Sequence, residues 1–232
     1  MTSILPPVLP LLGAAALFGL ATVFRLSFYA GFVERPVSIA LIWGLFTGEW
    51  ALSLALGVFF ELFWMDLIGG GTYLPPNANL PLLFCLFLSA AFSGRGVNIP
   101  EPPLVFIVLS IPLAFAGTAL EQRQRQNQIA IHELFVEELQ MDKAISTGLV
   151  LRSIAGLWLK SALLFVLVGV AGYWLFDLVI STHGALPGPK KLDWAVLWLT
   201  ASLGGLLSLR TRRAVVSLGI TLGIFCILLL RG

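Results

Sequence analysis

Apolar stretches recur along this chain at lengths that match a lipid bilayer, and that repetition limits the fold more than any single residue does. A helix that crosses a bilayer takes about 20 largely apolar residues, within a range of roughly 17 to 25. Such stretches run from Val8 to Phe24, Val37 to Phe60, Leu104 to Leu120 and Ile154 to Ile180. Shorter ones cover Leu80 to Phe92, Trp194 to Leu209 and Ala214 to Leu230. In hydrocarbon every backbone N–H and C=O must be satisfied within the protein, so uniformly apolar runs of this length predict helices. The scarcity of charge agrees: 11% of the 232 residues are Asp, Glu, Lys or Arg, against roughly 25% in soluble domains. A water-soluble fold of this size could not cover its surface with so few polar side chains. The prediction is an all-α, polytopic integral membrane protein with about six to eight transmembrane helices. These form a single membrane domain over residues 1–232.

Several functions are set aside by what the sequence lacks. A net charge of +2, scattered along the chain, gives no basis for nucleic-acid binding. Cys85 and Cys226 both lie inside apolar runs and read as ordinary buried thiols, not as a disulfide or metal site. No paired metal ligands occur, and Gly69, Gly70 and Gly71 lack the following Lys-Ser/Thr of a phosphate loop. No cofactor is expected, and His132 and His183 read as solvated. Met1 to Leu5 carries no basic cluster, and Pro6, Pro7 and Pro10 interrupt the first apolar run. That run is therefore read as a permanent first helix, not a cleaved signal. Basic residues favour the cytoplasm in short loops, which places Arg210, Arg212 and Arg213 there together with residues 121–152.

Two regions depart from the apolar pattern. Residues 61–80 combine Glu61 and Asp66 with three consecutive glycines, Pro75, Pro76, Asn77 and Asn79. A lipid-facing helix cannot be built from that mixture. Irregular backbone survives at membrane depth only where protein or a water-filled cavity surrounds it, so a re-entrant hairpin is expected. Residues 121–152 begin with Glu121, Arg123 and Arg125 and alternate charge with Ile129, Ile131, Leu134 and Phe135. This reads as an amphipathic segment lying at the membrane interface.

Ionisable residues within membrane spans are costly, by about 2.5–3.5 kcal/mol at the centre on insertion scales, and usually mark function. The candidates are Glu49, Glu61, Asp66 and Asp177. Glu61 and Asp66 flank Trp64, and an aromatic ring beside carboxylates suits a sugar, whose C–H groups lie on the ring while its hydroxyls bond to acids. Asn77 and Asn79 both donate and accept, as hydroxyl recognition requires. The plainer alternatives are structural. Glu49, beside Trp50, fits the headgroup level; Asp177, near the end of a run, fits the interface; Glu61 and Asp66 fit a role in bonding the glycine break.

From Arg35 onward the chain resembles a known family. Arg35-Pro36, Gly44, Gly48-Glu49, Gly57, Glu61, Gly71 and the run Pro75-Pro76-Asn77-Ala78-Asn79-Leu80 are similar to the mannose/fructose/sorbose-type IIC subunit of the phosphotransferase system. That family typically shows Arg-Pro, Leu-Gly-Asp, Leu-Glu-Leu or Leu-Glu-Met, and Pro-Pro-Asp. Here Glu49 stands for the first Asp, Asn77 for the second, and Asp66 occupies what is often a glycine. The resemblance implies a membrane subunit that conducts a hexose while soluble IIA and IIB proteins carry the phosphate, with a second membrane subunit, IID, in an oligomeric complex of the bacterial inner membrane. It implies that IIC itself is not phosphorylated. On this reading Glu61, Asp66, Asn77 and Asn79 bind sugar. Glu49, Arg35, Pro75, Pro76, Gly69, Gly70 and Gly71 support the hairpin. The rival readings are an ion-coupled secondary transporter, which also uses a broken helix at midplane, and a non-transporting membrane scaffold or regulatory subunit.

Overall fold

The computed structural model describes residues 6–28, 31–65, 74–140, 147–183 and 193–208. Among them the regular structure is all helical. In chain order the helices are α1 (Val8–Val23), a π-helical turn (Phe24–Phe28), α2 (Pro36–Thr47), α3 (Trp50–Phe63) and α4 (Asn79–Ser93), followed by α5 (Leu104–Gln140), α6 (Thr147–His183) and α7 (Trp194–Ser208). Three stretches are long and apolar enough to cross a membrane: Val8–Phe28, Leu104–Ile129 and Val150–Thr182. The other apolar helices are shorter.

α4 is the hub. Its residues from Asn79 to Phe92 are buried with the sole exception of Ala90, and it touches α1, α2, α3, α5 and α6. A helix apolar on every side has no solvent face to present and belongs inside a bundle. α1 packs along α6, α2 along α3, and α7 along α3. Indole N–H groups pin two of these contacts: Trp158 donates to the Ala16 carbonyl at 3.3 Å and Trp198 to the Ala55 carbonyl at 3.0 Å. The outward faces of α1, α5 and α6 carry Leu9, Leu12, Val108, Phe115, Leu163 and Leu167, all exposed, as surfaces that meet lipid require.

The apolar run from Val37 to Phe60 is two helices instead of the one span expected from its length. Gly48 ends α2 with φ +78°, a left-handed conformation in which its N–H bonds to the Gly44 carbonyl at 2.8 Å. Only glycine adopts that conformation at no steric cost. The chain turns and α3 runs back along α2, close enough that a Cβ at Gly57 would stand 2.6 Å from the Ala40 Cβ. With 12 and 14 residues, the two arms are about 18 and 21 Å long at 1.5 Å per residue.

The expected interfacial segment at residues 121–152 also differs. α5 continues from Leu104 to Gln140 without a break, over 37 residues. Glu121 and Gln124 on it are buried, each at 1% exposure. α5 outlasts its apolar run, and at Glu121 and Gln124 the helix still faces protein on one side. α6 also has 37 residues and starts before its apolar window, so both helices overrun the apolar zone at the end where they are joined. Asp66, Gly69, Gly70 and Gly71 of the predicted hairpin, residues 141–146, and the last apolar run from Ala214 with its basic turn lie outside the described residues.

Candidate functional site

The N-terminal end of α4 gathers the buried polar side chains of Asn77, Asn79 and Glu121. Local chemistry dictates why. Pro75 and Pro76 carry no N–H and hold the approach to α4 extended, so the Pro75 carbonyl must find side-chain donors. It accepts from Arg25 Nη2 at 3.3 Å and Thr118 Oγ1 at 3.4 Å. The Asn77 N–H is satisfied by α5, donating to Thr118 Oγ1 at 3.0 Å and to the Ala114 carbonyl at 3.2 Å. Gly117 makes that approach possible, since a Cβ there would fall 2.9 Å from the Asn77 Cβ.

Asn77 uses both ends of its amide. Its Oδ1 accepts from the backbone N–H groups of Asn79 at 3.0 Å and Leu80 at 3.3 Å, which are orphan donors of the first turn of α4. Its Nδ2 donates to Glu121 Oε1. Glu121 comes from α5 and its second oxygen, Oε2, faces Arg25 Nε at 3.4 Å. That contact is an ion pair without hydrogen-bond geometry, and Oε2 is buried with no hydrogen-bond partner among the described residues. Arg25 sits on the π-helical turn after α1, a rare form of helix that is frequent at functional sites. Glu34 and Arg125 lie near enough to bear on the charge of Glu121.

Asn79 reaches the other way, with Nδ2 donating to the Glu34 carbonyl at 2.7 Å. Beside it the open end of the α2–α3 hairpin is closed by Arg35 Nη1, which donates to Glu61 Oε1 at 2.9 Å. Arg35 is 62% exposed and Glu61 26%. Several buried polar atoms at this end have no partner among the described residues: Glu34 Oε2, Glu61 Oε2, Asn79 Oδ1, Glu121 Oε2 and Arg125 Nε. Buried polar groups are nearly always bonded; Trp43 Nε1, Glu49 Oε2 and Ser89 Oγ are unbonded elsewhere in the bundle, again among the described residues. Trp64 stacks on Phe60, centroids 5.8 Å apart and planes at 13°, so one face of the expected sugar platform is already taken.

A family model for the sorbose-specific IIC component of the phosphotransferase system matches residues 11–188, most of the chain. The chain belongs to this family. No curated protein and no solved structure matches it. It is thus an integral membrane subunit of a sugar-transporting phosphotransferase system and works in a complex with other components of that system. The likeness seen in the motifs from Arg35 to Leu80 extends through α5 and α6.

In this IIC component the structure joins Asn77 and Asn79 at one helix end and brings Glu61 and Arg35 to the same end of the bundle. It does not bring Glu49 there. Glu49 stands at the α2–α3 turn, at the far end of α3 from Glu61, beside a cavity of about 420 Å³ lined by Leu52, Ser93, Asn98 and Glu101. Gly48, its neighbour, makes the turn; Glu49 follows from its place in the turn. Sequence reading missed Arg25, Thr118 and Glu121. Arg25 was legible only as a helix end, and Glu121 as the first residue of a solvated segment. The available signal was that Asn77 has no charge where the family carries one, which asks for a carboxylate from elsewhere.

Proposed function

We propose that this IIC component binds a hexose at the N-terminal end of α4, and that a soluble IIB protein phosphorylates the sugar there as it is imported. IIA and IIB carry the phosphate, IID shares the membrane complex, and the complex sits in the bacterial cytoplasmic membrane. Glu61, Asn77 and Asn79 bond to sugar hydroxyls, with Asp66, a few residues beyond Glu61, as a further acceptor. The observation that carries this reading is the convergence of unpartnered buried acceptors from Glu34, Glu61, Asn79 and Glu121 on the residues that bear the family's motifs. Each sugar hydroxyl donates one hydrogen bond and accepts others, and carboxylates and carboxamides with guanidinium groups nearby supply both halves.

The location supports the coupling to phosphate. α5 and α6 overrun their apolar windows at the Glu121 end, the end that the basic residues of 121–152 assign to the cytoplasm. A site at that end is within reach of a soluble phosphoryl donor. The short arms α2 and α3, each less than the roughly 30 Å of a bilayer's hydrocarbon core, act as a re-entrant pair that enters and leaves on this side. With α2 and α3 turning back, α1, α4, α5, α6 and α7 make five crossings, and the apolar run from Ala214 to Leu230 counts as the sixth of the six to eight spans.

The test is phosphoenolpyruvate-dependent phosphorylation of a panel of hexoses by membranes holding this chain and its IID partner, supplied with soluble phosphotransferase components. Sugar phosphate that forms only when this chain is present supports the reading and names the sugar. Uptake of unmodified sugar that stops with an uncoupler and ignores phosphoenolpyruvate would replace it with an ion-coupled carrier. An assembled complex with neither activity would leave a scaffold.

A further inference from the structure

Asn77 and Glu121 form one unit whose polarity is fixed from outside. The Asn77 amide cannot be turned over, because its Oδ1 accepts from two backbone N–H groups at the start of α4. Its Nδ2 must therefore point at Glu121, and it bonds Oε1. Arg25 flanks Oε2 without bonding it. Glu121 is thus a carboxylate at 1% exposure, hydrogen-bonded on one oxygen and, on the other, in ion-pair contact with Arg25 without a hydrogen bond. A buried acceptor held in that way is costly unless something donates to it.

We infer that Glu121 is the carboxylate of the sugar site in this chain, its Oε2 accepting a sugar hydroxyl, and that Asn77 is neutral because Glu121 stands where its charge would be opposed. The inference rests on the sugar-site reading above and adds to it the residue on α5 that sets specificity. An Asp at position 77 would still accept from the Asn79 and Leu80 N–H groups through one oxygen. Its other oxygen would then face Glu121 Oε1, acceptor against acceptor, with Arg25 as the nearest countercharge. Exchanging both residues reverses the bond without changing its length or the pair's net charge. Gln at 121 donates from its amide to Asp at 77, and the single negative charge moves from position 121 to position 77.

The experiment is a four-way comparison of the unmodified chain, Asn77→Asp, Glu121→Gln and the double variant, each assembled with IID in membranes. Two quantities are read per amount of assembled complex: phosphoenolpyruvate-dependent phosphorylation of the best hexose, and the thermal unfolding midpoint in detergent. Each single variant is expected to lose about tenfold or more in phosphorylation, as for a buried acceptor left facing the wrong partner. The double variant is expected to recover its unfolding midpoint but to stay about tenfold low in phosphorylation, because no carboxylate then stands at position 121. Recovery of phosphorylation together with the midpoint would make the pair structural and overturn the inference. So would a double variant as impaired in both readings as the worse single. Asp177→Asn, at the far end of α4, serves as the control that keeps activity. Sugar phosphate missing even with the unmodified chain would instead sink the sugar reading, and the inference with it.

Discussion

The two ends of α4 carry the same kind of pair, an arginine with a carboxylate, and treat it in opposite ways. At the C-terminal end, in the turn after Ser93, Arg95 Nη1 donates to Asp177 Oδ1 at 2.5 Å and to the Tyr173 hydroxyl at 2.9 Å. Its guanidinium lies over the Phe92 and Tyr173 rings, 5.6 and 5.7 Å from their centroids. The hydrogen bond that Arg95 donates to Asp177 pushes the Arg95 pKa above its ordinary value, against the smaller effect of burial. Both partners reach solvent, at 21% and 35% exposure. At the N-terminal end Arg25 and Glu121 are at 16% and 1%, they miss hydrogen-bond geometry, and one carboxylate oxygen has no hydrogen-bond partner among the described residues. A pair that is bonded, stacked and half-wet is an anchor. One that is dry and incompletely bonded has room in its chemistry for a further donor, which is the role the sugar has in the proposal above.

The sharpest way to break that contrast is to remove the cation from each end. Arg25→Met strands a buried carboxylate and is expected to lower stability by about 3–5 kcal/mol. Arg95→Met leaves Asp177 in contact with water and is expected to lose about 1 kcal/mol. Thermal unfolding of the two variants side by side measures both, and equal losses would erase the distinction.

A smaller effect tests how the hairpin delivers Glu61 to the site end. Gly57→Val places a side chain against Ala40 and the backbone of Val37, and overpacking of this kind costs about 1–3 kcal/mol. Phosphorylation per folded complex should fall as well, because the Arg35–Glu61 closure rides on the same contact. An unchanged melting profile would show that the arms need not stay closely packed.

Glu61→Gln separates binding from stability. Arg35 is mostly exposed, so the ion pair itself is expected to contribute under about 1 kcal/mol. Hexose phosphorylation should nevertheless drop by about tenfold, the loss that follows when one hydroxyl contact is replaced by a mismatched one. Normal transport by this variant would remove Glu61 from the site. The least effect belongs to the far end: Glu49→Gln should leave phosphorylation within about twofold, as for a change distant from the functional groups. A larger loss would mean that the α2–α3 turn communicates with the sugar end.

Much of this was legible before any coordinates. The helices α1, α4 and α7 begin and end within a few residues of where apolar runs start and stop, since hydrophobic length alone decides them. α2 and α3 were not separable, because Val37 to Phe60 is apolar throughout and the break depends on the backbone conformation of Gly48. Asn77 and Asn79 were legible from residue type, Glu61 from the cost of a buried acid. Glu121 was not, because a charged residue at the edge of an apolar run reads the same whether it turns to water or to a neighbouring helix. Only the packing of α5 against the Pro75–Asn77 segment tells the two apart.

The length of α4 carries one more consequence. Its 15 residues amount to about 22 Å of helix, while the hydrocarbon of a bilayer is about 30 Å thick. The long outer helices meet the lipid at full thickness, and the sheathed helix inside them is free to be shorter. Polar groups mark both of its ends, so the wholly apolar layer is thinner through the middle of the protein than through the lipid around it. A solute as wet as a sugar then has to shed its hydration over a shorter path than the membrane itself would impose.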